Sequence, residues 1–573
     1  MSERRVVLPS LPTSRTFRVL AVAGAALVLF GICIRFVNLD RKMYTNDEAT
    51  ASLHVSGHTI DQYAAAVFDG RPRTAEQLLA FQRGDGATTL GDVVSSLAVE
   101  DARHPPLFYV AERLWTDAFG ASVAARRSVS AIAGSLAIAA VAWLAWELFG
   151  GVAAPLACAA LYAISPFAVV YAQQTREYAL WSLLCAAAGA ALLAALRTGT
   201  ALAWAAYAAL AALGLYTDAL FLGTVAAHAV YALVVRLERG AARGYALASL
   251  AALAAFAPWF GALRTALTAN SGTANAFVGV LNAGGNNTFL AVAVPAKVFA
   301  LKWFFNAGAV FFDLDYRWHA AAVLAVPLVA FAGYAAYRLV RDTPRRTWVL
   351  AVAPGAVVAL ALLVPDVLFH ESRSTAARYL VPLWLALDLA TGWYLARLCT
   401  ANGRARAFGV TACAAFACAG VASCVVGNGA RVWWADSSVA PLVPVARALA
   451  ASPGALVSYR ATWSRRGGPN DIWDFAVMQL VNVVPPSVRF RQLPVDAPPL
   501  AVVAGATTFV LDPTGALRAA LAAAGRPLLP AALPGRAAGE GAVAALRREA
   551  RALRRAAGVV DFDASLWRPS TAR

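Results

Sequence analysis

Residues 151–196 read GVAAPLACAALYAISPFAVVYAQQTREYALWSLLCAAAGAALLAAL. Two apolar runs, 151–170 and 178–196, flank a polar turn that carries Gln173, Gln174, Arg176 and Glu177. An α-helix needs about 20 apolar residues to cross the hydrocarbon of a bilayer, and each run has that length. Such a pair reads as two membrane spans joined by a short loop. Working outward, similar runs fall near 17–37, 126–148, 200–217, 219–236 and 244–263, then 318–338, 347–366, 379–397 and 406–426, which predicts about eleven spans.

The composition agrees. Of 573 residues 60% are hydrophobic and 14% charged, yet the formal net charge is +17. Globular domains are nearer half apolar and a quarter charged. A nucleic-acid binder of this charge would have few long apolar runs, so that class is excluded, as are disordered and disulfide-framed chains. The seven cysteines lie in or beside apolar runs with no CxxC pair, which marks them as small buried residues.

The segment Pro105–Gly120 breaks the pattern. Leu107, Val110, Ala111, Leu114, Trp115 and Ala118 form one helical stripe, and Tyr109, Glu112, Arg113, Thr116 and Asp117 the opposite one. Three charges would be costly in a lipid-facing span, so a helix lying at the membrane surface is expected. With that segment outside the bilayer, Arg197, the cluster Arg236, Arg239 and Arg243, then Arg338 to Arg346, and Arg397 to Arg406 all fall on one side. Arg126, Arg127 and Arg264, at outer span ends, are exceptions but are outnumbered, so the positive-inside rule makes that side the cytoplasm, with the N-terminus in and the C-terminus out. Thr288–Phe312, which contains Lys297 and Lys302, must then be re-entrant, lie at the surface, or cross an even number of times.

The predicted organisation is a helical membrane module over 1–430 with a large outer loop at 38–120. A small α/β extracytoplasmic domain over 431–573 follows. Within that domain, strand-like runs are expected at Ala455–Ala461 and Leu500–Asp512, and helix-like ones at Pro441–Ala451, Gly515–Ala524 and Gly541–Ala557. Arg526–Glu540 reads as a linker. Membership of the bacterial cytoplasmic membrane is the expected location.

Polar residues gather on the outer side. The loop Asn38–His104 has ten acids against six Lys and Arg, in a chain that is strongly basic overall. It opens on Asn46-Asp47-Glu48, a candidate general base; Asp47 capping a helix over Glu48–Val55 is the structural alternative. Asp101-Ala102-Arg103-His104-Pro105-Pro106-Leu107 holds His104 stiffly at a helix start. Arg176 and Tyr178 mark the outer turn quoted above. His370, Glu371 and Arg373 precede Arg378-Tyr379-Leu380 at another. An outward arginine either snorkels or meets an anion such as phosphate. Asp388 is the one clear carboxylate inside a span, either a relay group or a hydrogen-bonding one.

In this order, Asp47-Glu48, His104-Pro105-Pro106-Leu107, Arg176-Glu177-Tyr178-Ala179-Leu180 and Arg378-Tyr379-Leu380 resemble the polytopic glycosyltransferases of the GT-C class. The nearest branch is the bacterial one related to protein O-mannosyltransferases and to the lipid A aminoarabinose transferase. The resemblance covers about residues 17–400. It implies transfer of a sugar from a polyprenyl-phosphate donor, with inversion, to a lipid, polysaccharide or protein acceptor outside the membrane. By the same resemblance Asp47 is the base and Glu48 its neighbour or a metal or acceptor contact. His104, Arg176 and Arg378, with Tyr178 and Tyr379, serve the donor phosphate. Where many relatives have a His-Tyr pair after the fifth span, this chain has Tyr216-Thr217-Asp218. A divalent metal is an optional partner, with Glu48, His54 or His104 as ligands and no spacing that demands it. The rival reading is a transporter or a flippase of lipid-linked sugar, for which paired repeats and midplane charges would be expected.

Overall fold

The computed structural model describes residues 15–84, 86–269, 296–314, 319–369, 373–433, 439–461, 476–531 and 566–570. Expectations for His370, Glu371, the helix-like run Gly541–Ala557 and most of the Arg526–Glu540 linker lie outside them. The chain divides into two compact units. One comprises 1–39, 103–108 and 127–429, the other 40–102, 109–126 and 430–573.

The first unit is helical. Among the described residues eight helices are long and apolar enough to cross a membrane, beginning with Arg18–Phe36 and Val123–Phe149 and ending with Gly403–Gly429. The run 151–170 is a broken helix: Ala153–Ala163 and Pro166–Ala172 meet at 58°. Pro166 cannot donate a backbone hydrogen bond and opens the second piece, and Ser165 Oγ accepts from Ala168 N at 3.4 Å to cap it. The carbonyls freed at the break are taken up by Arg35. Its guanidinium, fully buried, donates to Ala163 O at 2.7 Å and Tyr162 O at 3.2 Å, and to Gly31 O of its own helix at 2.6 Å. Gly31 is required there, because a Cβ would collide with the Ala163 carbonyl. The runs at 200–217 and 219–236 are shorter helices, Ala201–Leu215 and Phe221–Val235. Of Thr288–Phe312, the described part forms a helix over Ala296–Gly308.

The second unit is built on a six-stranded sheet: β1 (Arg73–Thr74), β2 (Leu456–Arg460), β3 (Arg489–Leu493), β4 (Phe509–Leu511), β5 (Leu528–Pro530) and β6 (Leu566–Pro569). The order is β1-β3-β2-β4-β6-β5, with β3, β2 and β4 parallel and the outer strands antiparallel. Of the strand expectations, Ala455–Ala461 corresponds to β2. Leu500–Asp512 splits into a short helix, Pro499–Val502, and β4. Strand β1 comes from the loop at 38–120. That loop, grouped with the membrane module from sequence, shares a core with the chain after Ala430: Tyr44, Leu53, Tyr63 and Leu78 pack with Val445, Val457, Phe490 and Leu511. Burial of apolar side chains at roughly 25 cal/mol per Å2 makes such a shared core the main force holding the loop in place.

In the helix Leu107–Phe119, Tyr109, Glu112, Arg113 and Thr116 of the predicted polar stripe are buried and Asp117 is exposed, while of the apolar stripe Leu107, Val110, Ala111 and Trp115 are half-buried and Leu114 is 54% exposed. Arg113 explains how charge is accommodated: it donates to Asp117, to Thr88 Oγ1 and O, and to Val55 O.

Candidate active site

Asp47 and Glu48 sit in the first turn of the helix Asn46–Val55 in the second unit. The helix begins two residues before the predicted Glu48, and Asp47 is not its cap. Thr45 is: its Oγ1 accepts from Glu48 N at 3.1 Å, while Thr45 N donates to Glu48 Oε2 at 3.0 Å. This reciprocal pair is a capping box, which satisfies two backbone donors that the helix start would leave orphaned. It divides the two acids: Glu48 is fully buried and occupied in the cap, and Asp47 is half-buried.

Behind this turn, Tyr44 Oη and Ser52 Oγ lie 2.5 Å apart, and the buried Arg126 donates to both, at 3.3 and 3.1 Å, as well as to Gln82 O. Burial pushes the Tyr44 phenol up, opposed by Arg126 and reinforced by Glu48 and Glu112. The phenol is therefore a fixed hydrogen-bonding strut for the start of the Asp47 helix.

A second group forms within the first unit. The strap carrying His104 is tied to the turn after Ala201–Leu215 by two backbone bonds, Leu107 N to Tyr216 O at 3.0 Å and Ala219 N to Arg103 O at 3.3 Å. His104 and Asp218 are thereby neighbours. The turn Thr175–Glu177 between helices Pro166–Ala172 and Tyr178–Thr198 is pinned by Arg176 N to Gln174 O at 2.8 Å and Ser130 Oγ to Arg176 O at 3.0 Å. It delivers Glu177, whose Oε1 lies 3.0 Å from His104 Nδ1 and accepts from Arg176 Nη2 at 3.0 Å. Arg176 Nη2 also stands 3.1 Å from His104 Nε2, and its guanidinium lies over the Tyr178 ring at 5.6 Å. Asp218 accepts from Leu220 N at 2.7 Å, closing its own turn.

The group is electrostatically polarised. Burial would raise the Glu177 carboxyl, but Arg176 and His104 beside it pull it down to about 2. Burial, with ionised Glu177 nearby, pushes Asp218 up to about 7. One acid is thus held charged and its neighbour at the edge of charging, the separation typical of functional sites.

The structure therefore brings His104, Arg176 and Tyr178 together and adds Glu177 and Asp218, which sequence reasoning did not select. Both residues lie in stretches singled out from the sequence: Glu177 stands between Arg176 and Tyr178, and Asp218 belongs to Tyr216-Thr217-Asp218, the stretch that departs from the His-Tyr pair of the resemblance. Arg378 and Tyr379 lie half-buried in a separate short turn, Ala377–Leu380, with the guanidinium over its neighbour's ring at 5.1 Å. That turn is anchored by Asp366, which accepts from Arg373 N and from Ser374 N and Oγ, and by Trp384 Nε1 donating to Ala377 O. Asp388 is buried in the helix Val381–Thr400. Of the three suggested metal ligands, Glu48 is committed to its capping box, and His54 Nε2 lies 3.9 Å from Glu100, whose carboxylate caps Ile60 and Asp61. Among the described residues only His104 of these three has further donors gathered around it: its ring nitrogen and one oxygen each of Glu177 and Asp218 lie within 4.8 Å of one another.

Residues 103–261, which contain this group, match the family model described as dolichyl-phosphate-mannose-protein mannosyltransferase. Asp47, Glu48, Arg378 and Tyr379 fall outside the matched segment. No curated protein matches the chain. Solved structures that resemble it include ArnT from Cupriavidus metallidurans bound to undecaprenyl phosphate. That pair has 16% identity over 82% of this chain and 90% of the other, and a TM-score of 0.47. The Archaeoglobus fulgidus oligosaccharyltransferase in the apo form has 11% identity over 85% and 69%, and a TM-score of 0.45. By its own motifs and by the family match over 103–261, the chain is similar to the polytopic glycosyltransferases of the GT-C class.

Proposed function

We propose that the chain is a membrane-embedded glycosyltransferase that moves a sugar from a polyprenyl-phosphate donor to an acceptor on the outer face, with inversion. The observation that carries the reading is the buried Arg176 guanidinium, oriented by Glu177 and stacked on Tyr178 in a segment that matches a phosphate-linked-sugar transferase family. A planar guanidinium fixed in a low-dielectric turn recognises phosphate oxygens and stabilises charge as it develops on them.

The chemistry needs few groups. Asp47 takes the proton of the acceptor hydroxyl, the acceptor oxygen bonds to the anomeric carbon from the face opposite the leaving group, and the C–O bond to phosphate breaks. Polyprenyl phosphate departs as a stabilised anion, so no acid need protonate it, unlike a glycosidase with its two carboxyl groups. Arg176, with His104 and Arg378, neutralises the departing phosphate. The acceptor is a lipid, a polysaccharide or a protein.

In this reading the chain has eleven spans: the eight long helices, the broken pair counted once, and the two shorter helices Ala201–Leu215 and Phe221–Val235. The N-terminus is cytoplasmic, and the sheet-containing unit is outside a bacterial cytoplasmic membrane. Leu114 and Ala118, the exposed members of the apolar stripe, then rest on lipid.

Proteoliposomes with polyprenyl-phosphate sugar radiolabelled in the sugar test this directly. Label passing to acceptor, with release of polyprenyl phosphate, is the expected result. Label that stays on its lipid but changes leaflet identifies a flippase and overturns the proposal.

A further inference from the structure

We propose that His104, Glu177 and Asp218 form a divalent-cation site in the membrane unit, taking Mn2+ or Zn2+ through one imidazole nitrogen and two carboxylate oxygens. It extends the donor-phosphate reading and rests on that reading for its role. The binding tested below does not need it.

The geometry comes first. Ligands about 2.0–2.2 Å from an ion stand at most about 4.4 Å apart across it. The three donor atoms already lie within 4.8 Å of one another, so closure needs only a few tenths of an ångström. Three separate turns supply them, and each is held by its own backbone bonds: the strap at His104, the cap position of Tyr178–Thr198 at Glu177, and the Leu220 N bond at Asp218. A site assembled this way is rigid before the ion arrives.

The second observation is independent of spacing. Glu177 is fully buried, and its Oε2 has no hydrogen-bond partner among the described residues, although Oε1 is engaged by Arg176 and His104. An unsatisfied buried carboxylate oxygen is costly and calls for a missing partner, which an ion supplies.

Charge points the same way. Glu177 and Asp218 bound to a metal, together with a phosphodiester, carry three negative charges, and Arg176 carries one positive charge. A divalent cation closes the difference, and it also lets a phosphate approach two carboxylates that would otherwise repel it. The donor set contains nitrogen and oxygen but no thiolate, which suits Mn2+ or Zn2+ better than a soft ion. Arg176 is the built-in competitor, since its Nη2 already donates to Glu177 Oε1.

The test uses Mn2+ alone with the purified full chain in nanodiscs, followed by electron paramagnetic resonance. The expected result is one bound ion per chain, with a hyperfine coupling from a directly bound imidazole nitrogen that disappears in His104→Ala. Asp218→Asn and Glu177→Gln weaken binding about tenfold or more, as loss of a metal-site group does. Absence of stoichiometric binding, absence of the nitrogen coupling in the unsubstituted chain, or unchanged binding in all three variants overturns the site. The unsubstituted chain decides the matter even where a variant fails to fold. Ion binding without sugar transfer removes the transferase reading and leaves the site; transfer without ion binding does the reverse.

Discussion

Arg176 and Glu177 are adjacent residues of opposite charge in a greasy stretch, and their value lies in what each does to the other. The guanidinium is buried and needs a counter-charge; the carboxylate supplies it and fixes the direction in which the remaining N–H groups point. Glu177→Gln keeps the shape and removes the charge. Breaking a buried pair from one side costs roughly 3–5 kcal/mol, so the variant should unfold at a markedly lower temperature in detergent. Its weaker hold on donor phosphate should appear as a raised KM for lipid-linked sugar. An unchanged melting midpoint would show that the pair is not an essential support. His104, Arg176 and Tyr178 were legible in the sequence because polar residues stand out among alanines and leucines. Asp218 was not, since its approach to His104 depends on two backbone bonds between turns over a hundred residues apart, and no periodicity announces those.

At the scale of elements, the Asp47 helix shows how a small motif divides labour between neighbours. The pattern Thr45-x-x-Glu48 is a capping box by residue type alone, and it places the cap at Thr45, two positions before Asp47. The correction strengthens the case for Asp47, because Glu48 is the acid with a structural duty. Glu48→Gln can still accept from Thr45 N and should retain most stability and activity. Glu48→Ala should cost about 0.5–2 kcal/mol, the usual range for a lost cap, measured by thermal unfolding of the purified protein. Equal loss in both variants would mean that the charge of Glu48, and not its cap, is what counts. The eight long apolar helices are legible because length and hydropathy suffice, whereas the bend between Ala153–Ala163 and Pro166–Ala172 and the shortness of Ala201–Leu215 and Phe221–Val235 are not. Strands are legible only in part: β2 falls within the expected Ala455–Ala461, but β3 reads Arg489-Phe490-Arg491-Gln492-Leu493, where charge hides an interior position of the sheet.

For the molecule as a whole, hydropathy separates membrane from water but does not say which outer segments fold together. The loop at 38–120 and the chain after Ala430 contribute to one core and one sheet, a union that sequence proximity conceals. A chain ended at Gly429 should therefore lose more than an accessory domain. Without β3 and its neighbours, β1 has no partner and Tyr63, Leu78 and Leu79 lose their packing. Trypsin should then cut rapidly at Arg71, Arg73 and Arg83 in proteoliposomes, while the full chain resists. Equal resistance would show that the loop folds without its partner. In the proposed topology the strong positive charge is an orientation signal carried by loops on one face, with the acidic loop that holds Asp47 as the local exception.

The account turns on Asp47 as the base in transfer from a polyprenyl-phosphate sugar. The most direct measurement is sugar transfer by Asp47→Asn beside the unsubstituted chain in proteoliposomes, at matched protein level and membrane insertion. The account predicts transfer by the unsubstituted chain and its abolition in Asp47→Asn, with binding of the lipid-linked donor retained. Full transfer activity in Asp47→Asn would contradict it.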